Sequence, residues 1–182
     1  MSHKILIASD LHGDAVCTEL LLKRFHEENA ELCVLLGDLL YHGPRNDLPA
    51  GYAPKKVIEL LNGERKHLLC VRGNCDTEVD QMVLNFPILS DIAVLFIDGR
   101  RWYLSHGHVK NAETPPPMQT GDLLLCGHTH VVAKEACEGF VYLNPGSLSI
   151  PKENTARGYI LLDGDTFRFK TLDGEEYDTF EA

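Results

Sequence analysis

The chain is short of several features that would each point to a function class. None of its six cysteines (Cys17, Cys33, Cys70, Cys75, Cys126, Cys137) stands in a Cys-x-x-Cys pair. Several lie inside apolar runs, where a free thiol packs as a small hydrophobe. A disulfide framework is therefore not expected, and a reducing cytoplasm is the expected location. Lys and Arg form no cluster and the formal net charge is −10, which argues against general nucleic-acid binding. A small anionic substrate stays compatible with that charge if metal supplies local positive charge. No apolar stretch is long enough to cross a bilayer. The run Ile5-Leu6-Ile7-Ala8 is too short for the apolar region of a signal peptide. Repeats, low-complexity segments and dividing linkers are also missing, so one domain over residues 1–182 is expected.

What the chain does have is a run of short apolar segments, each closed by residues that can ligate metal. Residues 4–8 read as a strand followed by Ser9-Asp10-Leu11-His12-Gly13. A helix follows, with Val16, Leu20, Leu21 and Phe25 on one face. Residues 33–36 form a second strand ending at Gly37-Asp38. Pro54 opens a second helix buried through Val57, Ile58, Leu60 and Leu61. Residues 67–71 form a third strand ending at Gly73-Asn74-Cys75-Asp76. This alternation predicts a parallel sheet with right-handed crossovers. Further on, Asp98-Gly99 joins residues 92–97 to 102–105 as a hairpin, and Asp163-Gly164 marks another. Strands are also expected at 123–126, 131–133, 140–143, 159–162 and 166–170. The expected architecture is an α/β sandwich of two mixed β-sheets with helices outside.

Asp10, His12, Asp38, Asn74, His106, His128 and His130 all follow predicted strands, and Gly37, Gly73 and Gly127 precede three of them. Glycine there permits a sharp turn and close approach of backbone to a ligand. In open α/β sheets, ligands sit beyond the carboxyl ends of the strands, where such loops converge. Singly, each residue has a plain structural alternative: Asp10 could cap a helix and Asn74 could hold a turn. Together, two aspartates, four histidines and an amide exceed the ligands of one tetrahedral zinc. They suit two metals sharing one carboxylate, as in phosphoryl transfer. Water shared by two such ions loses a proton near neutral pH and becomes a hydroxide nucleophile. Two divalent ions, two carboxylates and one hydroxide leave about +1, which favours a singly charged phosphodiester.

Asp10-x-His12, Gly37-Asp38, Gly73-Asn74-x-Asp76, His106-x-His108 and Gly127-His128-x-His130 resemble the calcineurin-like metallophosphoesterases, in order and across most of the chain. The resemblance implies a four-layer sandwich and a binuclear site, often of Mn2+, with Zn2+, Fe2+ or Ni2+ as other candidates. It assigns Asp10, His12, Asp38 and His130 to one metal. Asp38, Asn74, His106 and His128 would hold the other, with Asp38 as the bridge. Asp38, Cys75 and Asp76 are the catalytic candidates, and Arg45, Asn74 and His108 the substrate-binding ones. The implied substrate is a small phosphoester.

Arg45 lies in a long loop and could grip phosphate through two hydrogen bonds, or simply be solvated. His108 could touch substrate or orient His106. Asn144-Pro145-Gly146-Ser147 reads as a turn beneath the site, and Glu78, Asp80 and the acidic stretch 173–181 as solvated surface. Many family members carry histidine where this chain has Cys75, a weak hydrogen-bond donor and a poor acid. That departure favours diesters with good leaving groups. Two readings of other classes are a scaffold like the retromer subunit of this fold, and a nuclease. A homo-oligomer is compatible with the sequence.

Overall fold

The computed structural model describes residues 3–181. The first half alternates strand and helix: β1 (Lys4–Ala8), α1 (Ala15–Glu27), β2 (Leu32–Leu35), α2 (Pro54–Glu64), β3 (Leu68–Cys70) and the short α3 (Glu78–Gln81). The second half is all strand. It runs β4 (Ile92–Ile97), β5 (Arg100–Ser105), β6 (Asp122–Leu125), β7 (Val132–Ala136), β8 (Phe140–Pro145), β9 (Gly158–Asp163), β10 (Thr166–Thr171) and β11 (Glu176–Glu181).

These strands make two mixed sheets, ordered β11-β10-β9-β1-β2-β3 and β4-β5-β6-β8-β7. Parallel pairing joins β1 to β2 to β3 in one sheet and β5 to β6 to β8 in the other. The sheets face each other through Ile5, Ile7, Val34, Leu36, Trp102 and Leu123, among others. Opposite side chains of the same strands, Leu6, Ala8, Cys33 and Leu35, pack with Leu21 and Phe25 of α1 and Val57 and Leu61 of α2. The period-two alternation of each strand thus feeds two cores, and each fully buried leucine contributes about 1.5–3 kcal/mol. The outer face of the second sheet is covered by irregular chain around Ala112 and Met118 instead of a helix.

Three local expectations change. Helix α1 buries Leu21 and Phe25 and packs Leu20 against the core as expected, but it leaves Val16 58% exposed and buries Cys17, Thr18 and Leu22 as well. Its cap is Asp14, whose side chain accepts from the Cys17 N–H at 2.9 Å, which leaves Asp10 free of capping. The second hairpin turns on Gly164-Asp165, one residue later than predicted, because Asp163 still pairs with Thr166. The acidic stretch near the C-terminus is exposed as expected, yet part of it forms β11, an edge strand paired with β10. Asp80 caps α3 by accepting from the Thr77 N–H and hydroxyl. Among the described residues, no helix is long and apolar enough to cross a membrane.

Candidate metal centre

The parallel strands of both sheets point their carboxyl ends to one place. Beyond β1 and β2 the two chains run side by side: Asp10 N–H donates to Gly37 O (3.1 Å), and His12 N–H to Asp38 O (2.9 Å). Across the sandwich, Gly127 N–H donates to His106 O at 2.8 Å, which joins the ends of β5 and β6. Two glycines are needed for space. A Cβ on Gly73 would sit 2.1 Å from Asp38 Oδ1, and one on Gly127 would sit 1.8 Å from Ser9 Oγ. Gly127→Ala should therefore displace Asp10 and cost about 1–3 kcal/mol, read as a lower denaturation midpoint together with weakened metal uptake. Unchanged stability and metal content would show that the loop relaxes freely.

Five of the seven expected ligands adopt left-handed backbone conformations: Asp10 (φ 57), His12 (φ 46), Asp38 (φ 57), His128 (φ 68) and His130 (φ 63). Such conformations are costly for residues with a Cβ and gather at functional sites. Here they turn successive side chains inward at the strand ends.

The ring orientations are fixed from behind. The Nδ1 atoms of His12, His106 and His130 lie 2.7, 2.6 and 2.8 Å from the carbonyl oxygens of Tyr41, Leu36 and Ile150. Those carbonyls require N–H at Nδ1, so each Nε2 is turned to the centre, where it can give its lone pair to a cation in place of a proton. Yet His12 Nε2 and His130 Nε2 stand only 3.2 Å apart, and His106 Nε2 stands 3.0 Å from Asn74 Oδ1. Asp10 Oδ2 accepts from Ser9 Oγ and the His128 N–H, while buried Asp10 Oδ1 has no hydrogen-bond partner. Asp38 Oδ2 lies 3.6 Å from His12 Nε2 and 3.5 Å from His106 Nε2, between the two halves. Ring nitrogens and oxygens set this close around one buried point fit cations. The sets Asp10–His12–His130 and Asp10–Asp38–His106 each bring their ligand atoms within 4.8 Å of one another.

Electrostatics point the same way. Burial alone would raise the Asp10 carboxyl, but the His12 and His130 rings and the charge of His106 hold it well below the usual carboxylate range. Burial likewise opposes ionisation of Asp38, and the facing His106 overcomes it. Burial would lower His106, yet Asp38 and Asp10 raise it to about 9. The cluster favours positive charge at its middle.

The remaining candidates separate by what they touch. Asp76 is buried, and its oxygens accept from the N–H groups of Leu39 (2.9 Å), Asp38 (2.8 Å) and Gly73 (2.8 Å). It ties the Asp38 loop to the Asn74 loop from a buried position, which suits support of the ligand loops. Cys75 lies with Asp38 and His12, and burial followed by the Asp38 charge pushes its thiol up to about 12. His108 is exposed, its ring centre 5.4 Å from that of His106; since Leu36 O already orients His106, His108 has no orienting hydrogen bond to offer. Arg45 lines the cleft over the site, a cavity of about 290 Å³ that also contacts Asp38, Asn74, Cys75, His128 and Lys152.

As expected, the turn after β8 supports the floor. Asn144 Nδ2 donates to Gly127 O (2.8 Å), and the Ser147 hydroxyl donates to Asp10 O (2.9 Å). Ser149 does the same at 3.0 Å and, with Lys152, was not legible as a site residue in the sequence. The available signal was the polar turn Lys152-Glu153-Asn154 just after this supporting segment.

Residues 3–166 match the calcineurin-like phosphoesterase superfamily domain. The phosphodiesterase YfcE of Escherichia coli K12 is 43% identical over 172 residues, covering 94% of this chain and 94% of its own. The probable metallophosphoesterase YsnB of Bacillus subtilis is 24% identical over 188 residues, covering 97% and 96%. The solved structure of YfcE, a phosphoesterase from E. coli, matches with a TM-score of 0.95 at 42% identity over 98% of both chains. Vacuolar protein sorting 29 from Cryptosporidium parvum shares the fold, with a TM-score of 0.63 at 17% identity over 100% and 99%.

Proposed function

The chain belongs to the calcineurin-like phosphoesterase superfamily and is a metal-dependent phosphoester hydrolase, and we propose that it cleaves small phosphodiesters at a centre for two divalent cations. The observation that carries this reading is the convergence of imidazole nitrogens and carboxylate oxygens on one buried centre. The contacts His12 Nε2 to His130 Nε2 (3.2 Å) and His106 Nε2 to Asn74 Oδ1 (3.0 Å) bring candidate ligand atoms face to face, with Asp38 between them. Asp10, His12, Asp38 and His130 would hold one ion, and Asp38, Asn74, His106 and His128 the other. When bound, the pair would activate water and draw charge from the phosphoryl oxygens.

The protein's own groups do the rest. Carbonyl anchors hold the imidazoles in one tautomer, and Asp76 fixes the spacing of the Asp38 and Asn74 loops. Arg45 can grip an anionic group of the substrate from the cleft wall. The Cys75 thiol, held neutral, leaves no strong acid beside the leaving group, which favours esters that depart without a proton. The test is elemental analysis after reconstitution, with manganese tried first, alongside turnover of a chromogenic diester. Fewer than one metal per chain and no turnover would sink the reading.

Position 75 gives a separate prediction. Cys75→His should raise kcat/KM for aryl and alkyl phosphomonoesters more than for an aryl diester. A positioned imidazole acid contributes about 100-fold or more where a leaving group needs protonation, and an activated aryl group does not. Assays at matched metal occupancy check this. Equal changes across the three esters would make Cys75 a space-filling side chain.

A further inference from the structure

Two cations line the cleft without being expected metal ligands, Arg45 and Lys152. They arrive from separate segments, Arg45 on the loop before α2 and Lys152 on the turn between β8 and β9. Among the described residues, neither has a carboxylate within ion-pair distance, and of the cations without one these two line the cleft.

The Lys152 backbone is also built into the site. Its N–H donates to His130 O at 2.9 Å, and its carbonyl accepts from the Thr155 N–H (3.0 Å) and hydroxyl (2.9 Å). Thr155 Oγ1 reaches His130 O as well, at 3.3 Å, while Ile150 O receives the His130 ring. Glu153 (φ 53) and Asn154 (φ 58) make the tight turn that allows this. The backbone of residue 152 is therefore fixed relative to the centre, and Lys152 lines the cleft from that fixed base.

Charge decides what this could serve. Two divalent ions, Asp10, Asp38 and an activated water leave about +1, which one phosphodiester anion cancels. Arg45 and Lys152 then add two positive charges in a cleft whose scissile group is already balanced. We propose that Lys152 is a specificity residue that, with Arg45, selects phosphodiesters whose ester arm carries a second anionic group, a phosphate or a carboxylate. Lysine suits this task as a point charge on a flexible stem, able to meet either group without fixed geometry. The inference rests on the diesterase reading and adds a substrate class to it.

The experiment uses the manganese-loaded protein and p-nitrophenyl diesters of one leaving group. Their second arms are phosphoethyl (anionic), hydroxyethyl (neutral) and trimethylammonioethyl (cationic). Wild type should prefer the anionic over the cationic arm by about five- to ten-fold in kcat/KM, mainly through KM, as a charge-assisted contact in a wet cleft provides. The preference should shrink as salt is raised. Lys152→Ala should remove most of it, Lys152→Arg should keep it, and Lys152→Glu should reverse it, all with unchanged metal content. Methylphosphonate esters bearing the same three arms, titrated calorimetrically, read the preference without turnover. If wild type hydrolysed none of the diesters yet bound the anionic-arm phosphonate through Lys152, the hydrolase reading would fail and the charge selection would stand. A preference indifferent to Lys152→Ala would overturn the proposal. So would a uniform loss across all arms with loss of metal, which would make the turn a support for His130 alone.

Discussion

Asp38→Asn is expected to lower kcat/KM by about 1,000-fold, the scale on which one strong charge-stabilising group acts in a buried site. Asp38 Oδ2 faces His12 and His106 at 3.6 and 3.5 Å, so its charge belongs to both halves of the centre. Oδ1 accepts from the Cys75 N–H at 2.8 Å, and asparagine can keep that contact and the shape of the loop. The substitution thus removes charge with little change in packing. Arg45→Ala should act mainly on KM, because Arg45 lines the cleft and touches none of the ligand cluster. Steady-state kinetics with metal content measured on each variant will decide. If Arg45→Ala reduced kcat as much as Asp38→Asn, the reaction would depend on the guanidinium more than on the shared carboxylate.

Chelation should lower the melting temperature by about 5–10 °C for each site held at 100 times its dissociation constant. Binding to the folded state alone adds about 2.7 kcal/mol at that concentration, and each kcal/mol moves a chain of this length by about 2–4 °C. The physical source is local. Asp10 and Asp38 are buried with the inward Nε2 atoms of His12, His106 and His130, and Asp10 Oδ1 lacks any hydrogen bond. A cation relieves that desolvated acceptor set in the folded protein, and the unfolded chain has no assembled site to offer. Calorimetric melting before and after chelator, then after returning manganese, measures it. A midpoint indifferent to both, with less than one metal bound per chain, would contradict the two-cation reading.

Much of this was legible because strand ends announce themselves. The apolar runs before Asp10, Asp38, Asn74, His106 and His128 are bounded by polar turn residues, and in an α/β sandwich such ends must converge. Both sheets and the Asp98-Gly99 turn, with its two positive φ angles, follow from local pattern in the same way. The burial of Cys17 in place of Val16 on α1 did not. Val16 and Cys17 are both apolar neighbours in sequence, and only packing on the first sheet decides which is buried. Strand β11 was hidden for a different reason. Its acidic residues lack an apolar alternation, and pairing with β10 plus the contacts Lys134–Asp178 and Arg168–Glu176 supply what composition does not.

The sequence by itself determined which side chains could meet, since residue type and position at a strand end are local properties. Tertiary structure alone decided what each one does there. Asp76 looks like Asp38 in sequence, but its oxygens accept from three backbone N–H groups of the ligand loops, while Asp38 keeps one oxygen turned toward both histidine sets. Lys152 is one lysine among many until the His130 carbonyl fixes its backbone beside the cleft. Hydrogen-bond saturation and charge pairing depend on partners distant along the chain, and only the folded arrangement brings those partners within reach.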